Sequence, residues 1–170
     1  MKKKIRLVLG ITLFTIVTLL GYKIVNKLIH KKEVTERTKV LPSFSFSNLK
    51  GKIFTRNNLR NIPTVFIYFN SDCDYCQSEA IKIKQRLNEF ENIQLVFISF
   101  ESKKEIEQFA KRYELNNKEN IVFLEDKKAE FSELFDVHSI PYVIVYDSNH
   151  KLLKKFKGVT KIDNILKVLK

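Results

Sequence analysis

Cysteine is scarce in this 170-residue chain, which has only Cys73 and Cys76. A bridge between them would close so short a loop that it removes little entropy from the unfolded chain. A zinc site would need further cysteine or histidine ligands at matching spacing, and the three histidines are scattered. A purely structural disulfide and a zinc site are therefore both disfavoured. The histidines are His30, His138 and His150.

Acidic residues are absent from positions 1–32, which hold eight lysines and arginines. The whole chain has 31 basic and 19 acidic residues, a net charge of +12. Subtracting the first segment leaves 23 basic and 19 acidic residues, or +4, in residues 33–170. That charge is ordinary for a soluble domain, so we expect no nucleic-acid partner. The chain also has no internal repeat and no low-complexity segment.

The basic segment encloses an uncharged run from Leu7 to Tyr22. A helix from Ile5 to Val25 would be about 31 Å long, close to the thickness of the bilayer hydrocarbon. No Ala-x-Ala-like cleavage site follows the run, and no cysteine near it could carry a lipid. We therefore predict a retained membrane anchor, with a cleaved signal peptide as the competing interpretation.

This anchor divides the chain into three predicted parts: an anchor over 1–25, a basic linker over 26–40 and a globular domain over 41–170. The linker has no sustained apolar period, which favours a tether or a short helical stalk. An N-terminal anchor behind a basic cluster usually starts in the cytoplasm, although the second flank is equally basic here. We expect a single-pass protein of the cell membrane with its domain on the extracytoplasmic, or periplasmic, side.

Apolar periodicity predicts alternating strands and helices in the domain. A hairpin with a turn at 48–52 comes first. Such an alternation, closed by a second hairpin, predicts an α/β fold around a mixed sheet. The later strands are expected at 64–69, 94–100, 121–124, 142–146 and 152–156, with helices at 75–90, around 106–113, at 129–135 and near the C-terminus.

The two cysteines stand where an apolar run, 64–69, gives way to a polar turn and then to a helical pattern. Cys73 is therefore predicted at a helix N-terminus, with Cys76 one turn inside. Free N–H groups and aligned peptide dipoles at a helix N-terminus stabilise a thiolate. Cys73 is the candidate nucleophile, and Cys76 is the candidate resolving thiol that attacks the mixed disulfide from the same turn.

The order of elements resembles the thioredoxin fold, and more narrowly the membrane-anchored TlpA/ResA-like thiol-disulfide oxidoreductases of the redoxin family. Three features carry this resemblance across about 41–170. The opening hairpin is the first. The second is the stretch from Cys73 to Glu79, which matches a Cys-x-x-Cys-x-x-Glu pattern. The third is Val137-His138-Ser139-Ile140-Pro141, which resembles a Val-x-x-x-Pro stretch facing the cysteines.

The resemblance implies a thioredoxin-like domain with an N-terminal β-hairpin extension, preceded by one transmembrane helix. It implies that Glu79 relays protons and that Pro141, after a cis peptide bond, docks the substrate together with Ile140. Proline has no backbone N–H, which leaves neighbouring backbone groups free to pair with an extended chain. A surface carboxylate and an ordinary edge-strand proline are the alternative interpretations.

The implied activity is that of a protein disulfide reductase acting on extracytoplasmic proteins. No cofactor or metal is expected, because the cysteine pair itself carries two electrons. An upstream membrane or soluble electron donor would then have to reduce the pair again. The negative charges of Asp72 and Asp74 beside Cys73 oppose formation of the thiolate, which favours a reducing protein. Ile67 stands where thioredoxin has a buried aspartate.

Three other functions stay open at this point. The segment around His138 faintly resembles that of Sco-type copper chaperones, although those proteins use a Cys-x-x-x-Cys spacing. A loop histidine that binds no metal, and a histidine that tunes the redox pair, are the other interpretations of His138. A thiol peroxidase would need proline and threonine where this chain has Phe66 and Asn70, so that activity is disfavoured. An inactive interaction module is the third alternative.

Overall fold

A computed structural model describes residues 2–169 of the chain. The predicted segments 1–25 and 41–170 each include one terminal residue, Met1 or Lys170, that lies outside this range. The chain divides into two compact units, the first ending at Arg37 and the second beginning at Thr38.

The first unit is formed by one long helix, α1 (Lys2–Thr38), whose last residue belongs to the second unit. Within the described residues it is the one helix long and apolar enough to cross a membrane. Its large apolar side chains from Leu9 to Ile29 are exposed, as lipid contact would require. The helix continues through 26–38, where the sequence predicts a tether or short stalk. That stretch contains no glycine or proline, so nothing in it breaks a helix.

The second unit contains seven strands and four helices, in the order that the periodicity predicts. Two short 3₁₀ helices, Arg56–Asn58 and Leu87–Phe90, lie between them. The second takes the place of the end of the helix predicted at 75–90. The strands are β1 (Ser45–Asn48), β2 (Ile53–Thr55), β3 (Thr64–Tyr68), β4 (Gln94–Ser99), β5 (Ile121–Glu125), β6 (Tyr142–Tyr146) and β7 (Leu152–Lys157). The helices are α2 (Asp74–Gln85), α3 (Lys103–Arg112), α4 (Glu130–Phe135) and α5 (Ile162–Lys167).

All seven strands form one mixed sheet in the order β2-β1-β5-β4-β3-β6-β7. The three central strands β5, β4 and β3 are parallel, and the outer pairings are antiparallel. Every residue of β3 is buried, so both faces of this strand are covered. Its continuous apolar run, Thr64–Tyr68, is typical of such a strand.

Alternate side chains of β3 enter two separate cores. Val65 and Ile67 join a cluster that also contains the apolar residues of α2, α3 and α5. Phe66 and Tyr68 join the cluster on the other face, with the opening hairpin and α4. The sheet is therefore the middle layer of three, as an α/β arrangement requires.

Strand pairing brings the two predicted site segments to one edge of the sheet. β3 and β6 are antiparallel, and Tyr68 at the end of β3 pairs with Tyr142 at the start of β6. The chain that leaves β3 leads to Cys73, and the chain that enters β6 carries Pro141. Segments about 70 residues apart in sequence thus meet where α2 begins.

Candidate active site

Cys73 is the N-cap residue of α2, as predicted. Its backbone is extended, with φ −82° and ψ 113°, and no side chain caps the helix start. The N–H groups of the first turn therefore remain open toward the site. The Cys73 thiol is half-buried and free, and Cys76, one turn inside, is a free thiol that is only 3% exposed.

Cys76 sits in surroundings that resist ionisation. Burial is the largest cause that raises the pKa of its thiol, and the neighbouring Cys73 thiol and the charge of Glu79 add to it. The backbone N–H of Asn70 points at the sulfur and opposes this rise. Cys76 therefore stays protonated until its proton is taken away, whereas Cys73 is the thiol that a partner can reach.

Glu79 lies on the same buried side of α2, one turn beyond Cys76. It is 1% exposed, and both of its carboxyl oxygens are buried without a hydrogen-bond partner in the described part of the chain. Burial raises its pKa to about 8, while the charge of Lys82 acts in the opposite direction. Glu79 is thus not a surface carboxylate: at neutral pH it is a buried acid that can give or take a proton.

Pro141 is buried at the start of β6, and the Ile140–Pro141 peptide bond is cis. Its carbonyl accepts a hydrogen bond of 2.9 Å from the N–H of Gly158. Ile140 and Cys73 both pack against the same core cluster. A groove of about 380 Å³ opens beside Ile140. It is lined by Tyr68, Phe100, Ala129, Ser132, Val137, His138, Ser139 and Ile140.

Sequence analysis assigns no role to Glu101, yet the structure places its carboxylate on the loop that precedes Cys73. The Ser71 N–H and hydroxyl both donate to this carboxylate, at 2.7 and 2.6 Å. Thirty positions separate the two residues, and it is the pairing of β3 with β4 that brings them together. No local sequence signal indicates that contact.

His138 lies on the rim of the groove. Its side chain is 76% exposed, and Nε2 is 2.9 Å from Oδ1 of Asp136. Across residues 2–169, no group of three histidine, cysteine, aspartate or glutamate side chains is placed to hold a metal ion. The arrangement gives the copper hypothesis no support beyond the presence of the histidine.

Comparison with family models identifies the AhpC/TSA family, whose model matches residues 38–162. No curated protein matches the chain. The family match covers the globular unit almost completely and includes both cysteines. It confirms the predicted resemblance to redoxins.

Solved structures share the fold at low identity. A secreted Mycobacterium tuberculosis disulfide oxidoreductase, described as homologous to E. coli DsbE, superposes with a TM-score of 0.64 at 19% identity, covering 79% of this chain and 96% of that one. StoA from Bacillus subtilis superposes with a TM-score of 0.61 at 15% identity, covering 78% of this chain and 99% of its own. Arabidopsis thaliana ScoI with copper bound superposes with a TM-score of 0.61 at 15% identity, covering 74% of this chain and 95% of its own. These similarities confirm the predicted thioredoxin-like fold.

Proposed function

The chain belongs to the AhpC/TSA family, and we propose that it works as a thiol-disulfide oxidoreductase, specifically a protein disulfide reductase. One observation carries the proposal: a half-buried thiol, Cys73, occupies the N-cap position of an open helix start, and a buried second thiol, Cys76, lies one turn further along the same helix. Family membership and the fold shared with disulfide oxidoreductases support the same activity.

The first step is attack by Cys73 on a disulfide of the partner protein. The Cys73 thiolate forms a bond to one partner sulfur, and the other partner sulfur leaves as a thiolate and takes up a proton. The open N–H groups at the start of α2 stabilise the negative charge on Cys73 before the attack.

The second step is attack by Cys76 on the sulfur of Cys73. Cys76 first loses its proton. Glu79 is the nearby acceptor in the molecules in which it is ionised, a fraction that grows as the pH rises toward its pKa of about 8. The Cys73–Cys76 disulfide then forms, the bond to the partner breaks, and the second partner sulfur is released as a thiol. Two electrons have passed from the dithiol to the partner, so the reaction balances without a cofactor. A donor dithiol must then reduce the pair again.

Ile140 and Pro141 form the docking edge for the partner in this proposal. They lie at the end of the sheet where Cys73 lies, beside an apolar groove that can hold a side chain next to the partner's cysteine. An extended segment of a protein suits such an edge, because its backbone groups can pair with backbone groups of the docking loop.

The domain is proposed to lie on the extracytoplasmic side of a membrane. The exposed apolar helix α1 can serve as the anchor, and four basic residues, Lys2, Lys3, Lys4 and Arg6, flank its start. One structural relative is described as secreted. The upstream donor would then be a membrane or soluble dithiol protein on the same side.

Trapping of the mixed disulfide tests the function. The full chain carrying Cys76→Ser, in detergent micelles, is mixed with a disulfide-bonded model protein such as insulin. A covalent adduct through Cys73 is expected, one that dithiothreitol releases and that Cys73→Ser abolishes.

Two outcomes would contradict the proposal. Rapid turnover of hydrogen peroxide without adduct formation would assign the chain to the peroxidases. The sequence disfavours that outcome, because Phe66 and Asn70 stand where the peroxidase signature has proline and threonine. Stoichiometric binding of Cu(I) that depends on His138 would assign it to copper delivery.

A further inference from the structure

The loop between β3 and α2 is held by a carboxylate from the loop that follows the neighbouring strand β4. Glu101 follows β4, and its carboxylate accepts three hydrogen bonds: 2.7 Å from the Ser71 N–H, 2.6 Å from the Ser71 hydroxyl and 2.9 Å from the Ser99 hydroxyl. Hydrogen bonds to a charged acceptor are stronger than those between neutral groups. Ser71 is therefore fixed on both its backbone and its side chain by one residue.

The other end of Ser71 is held as well. Its carbonyl accepts a hydrogen bond of 2.8 Å from the side-chain amide of Gln77, in α2. Asn70 closes the loop, since its side-chain oxygen accepts the Asp72 N–H at 2.9 Å and its carbonyl accepts the Cys73 N–H at 3.3 Å. The backbone at 70–72 thus has a single defined position relative to α2.

This loop contributes one group to the thiol chemistry: the backbone N–H of Asn70, which is directed at the sulfur of Cys76. Among the groups that act on Cys76, burial, Cys73 and Glu79 all disfavour the thiolate, and this N–H favours it. The N–H can do so only if the peptide bond that carries it, between residues 69 and 70, stays in place.

We propose that Glu101 is a positioning residue for the resolving step: by holding Ser71 it keeps the Asn70 N–H directed at Cys76 while that sulfur carries negative charge. Glu101 itself touches neither thiol in this account and acts through the loop. The proposal rests on the roles proposed above for Cys73 and Cys76.

The chain supplies a matched control in Glu105. Its carboxylate accepts the same pair of donors, the backbone N–H and the hydroxyl of a serine, in this case Ser102 at 2.9 and 2.7 Å. Glu105 borders the same small cleft as Ser71 and Asp72. Glu105→Gln therefore removes one nearby negative charge and weakens a similar contact, without releasing the loop that carries Asn70.

Reaction of the reduced full chain with 5,5′-dithiobis(2-nitrobenzoic acid) separates the two steps. The first release of coloured thiolate reports attack by Cys73, and the second reports resolution by Cys76. Stopped-flow traces are recorded from pH 6 to 9 for wild type, Glu101→Ala, Glu101→Gln, Ser71→Ala and Glu105→Gln, with amide hydrogen exchange at 70–72 measured in parallel.

Glu101→Ala is expected to slow the second phase about tenfold, the scale of one hydrogen bond to a charged group, and to shift its pH profile upward. The first phase should change less than twofold. Amide exchange at Ser71 should accelerate by a similar factor. Glu101→Gln, which retains one acceptor oxygen, and Ser71→Ala should give intermediate effects, and Glu105→Gln should match wild type.

Several results would overturn the positioning role. One is a second phase in Glu101→Ala within twofold of wild type. Another is a proportional loss in both phases, which would mean that Glu101 only stabilises the fold. If Glu101→Ala does not fold, the same criteria apply to Glu101→Gln and Ser71→Ala. Failure of the proposed function looks different: wild type itself would release a single thiolate, or Cys76→Ser would leave the second phase intact.

Discussion

Two helices on the same side of the sheet, α2 and α3, begin in opposite ways. At α3, Ser102 and Glu105 form a capping box: the serine hydroxyl accepts the Glu105 N–H, and the Glu105 carboxylate accepts the Ser102 N–H. At α2, Cys73 occupies the same cap position, but no side chain accepts from the first turn. One helix start is closed by its own side chains, and the other is left open beside two thiols.

The N–H groups at the start of a helix can therefore serve either the stability of that helix or the chemistry of a neighbouring site. A capped start satisfies N–H groups that would otherwise lack partners, which stabilises the helix. An open start leaves those groups free to stabilise charge that develops on sulfur. The buried carboxyls follow the same division: Asp126 accepts two backbone N–H groups at the start of α4, at 2.9 and 2.8 Å, whereas Glu79 beside the thiols accepts none.

Replacing the sulfur at the open helix start should have the largest effect. Cys73→Ser is expected to lower the rate of protein disulfide reduction by at least about a thousandfold, because a serine hydroxyl does not ionise near neutral pH. The insulin reduction assay measures this. Serine is also a good N-cap, so the free energy of unfolding of this variant, measured with urea, should exceed that of Cys73→Ala by about 1 kcal/mol. Equal stability of the two variants would mean that the start of α2 cannot be closed by a hydroxyl.

Removing the unpartnered carboxyl should have the next largest effect. Glu79 has a pKa of about 8 in the folded chain and 4.5 ordinarily, so between these values the folded state keeps a proton that the unfolded state loses. Its contribution to stability is therefore full below pH 4.5 and is lost as the pH rises through 8. From pH 5 to 8, wild type should lose about 3 kcal/mol that Glu79→Gln does not lose. Urea unfolding at both pH values measures the difference.

Parallel pH dependence in wild type and Glu79→Gln would show that the carboxyl titrates normally. Asp126→Asn is the matched control, since that carboxyl is buried but held by two N–H donors. Asparagine offers one acceptor oxygen instead of two, so the first turn of α4 loses one of its two hydrogen bonds and the free energy of unfolding should fall.

Opening the closed helix start should have a smaller and purely structural effect. Ser102→Ala removes the hydroxyl acceptor at α3 and should lower the free energy of unfolding by about 1 kcal/mol. The rates of both thiol steps should stay within twofold of wild type. A change in either rate would mean that the start of α3 also contributes to the chemistry, which would remove the contrast between the two helices.

Neutralising the acids around the open helix start should have the smallest effect. Asp72 and Asp74 are exposed, so water and salt screen their charges. The double variant Asp72→Asn with Asp74→Asn should stabilise the thiolate form slightly and raise the reduction potential by roughly 10 to 30 mV. Equilibration with glutathione at low and high salt measures this, and a fall in the potential would contradict the sign of the effect.

The sequence predicts the order of elements well because each strand and helix has its own apolar period. The start of α2 at Cys73 is predictable too, since a buried strand ends just before it. The burial of Glu79 is implied by its helical spacing from Cys76 and Ile83, all on the buried side of α2.

Other parts of the site depend on tertiary structure that no local pattern encodes. That Glu79 lacks a hydrogen-bond partner follows from what surrounds it, and the contact between Glu101 and Ser71 follows from strand pairing across 30 positions. Outside the site, the absent apolar period at 26–40 leaves a tether and a short helical stalk as equal alternatives, and the structure has a helix that continues to Thr38.

The reduction potential of the Cys73–Cys76 pair tests the central claim most directly. The full chain in detergent micelles is equilibrated with glutathione and dithiothreitol buffers, with Cys73→Ser and Cys76→Ser as controls. We predict a reversible two-electron couple well below about −180 mV, the value of protein disulfide isomerase. A couple at or above that value would make the protein an oxidant or an isomerase, and the absence of any reversible couple would contradict the account.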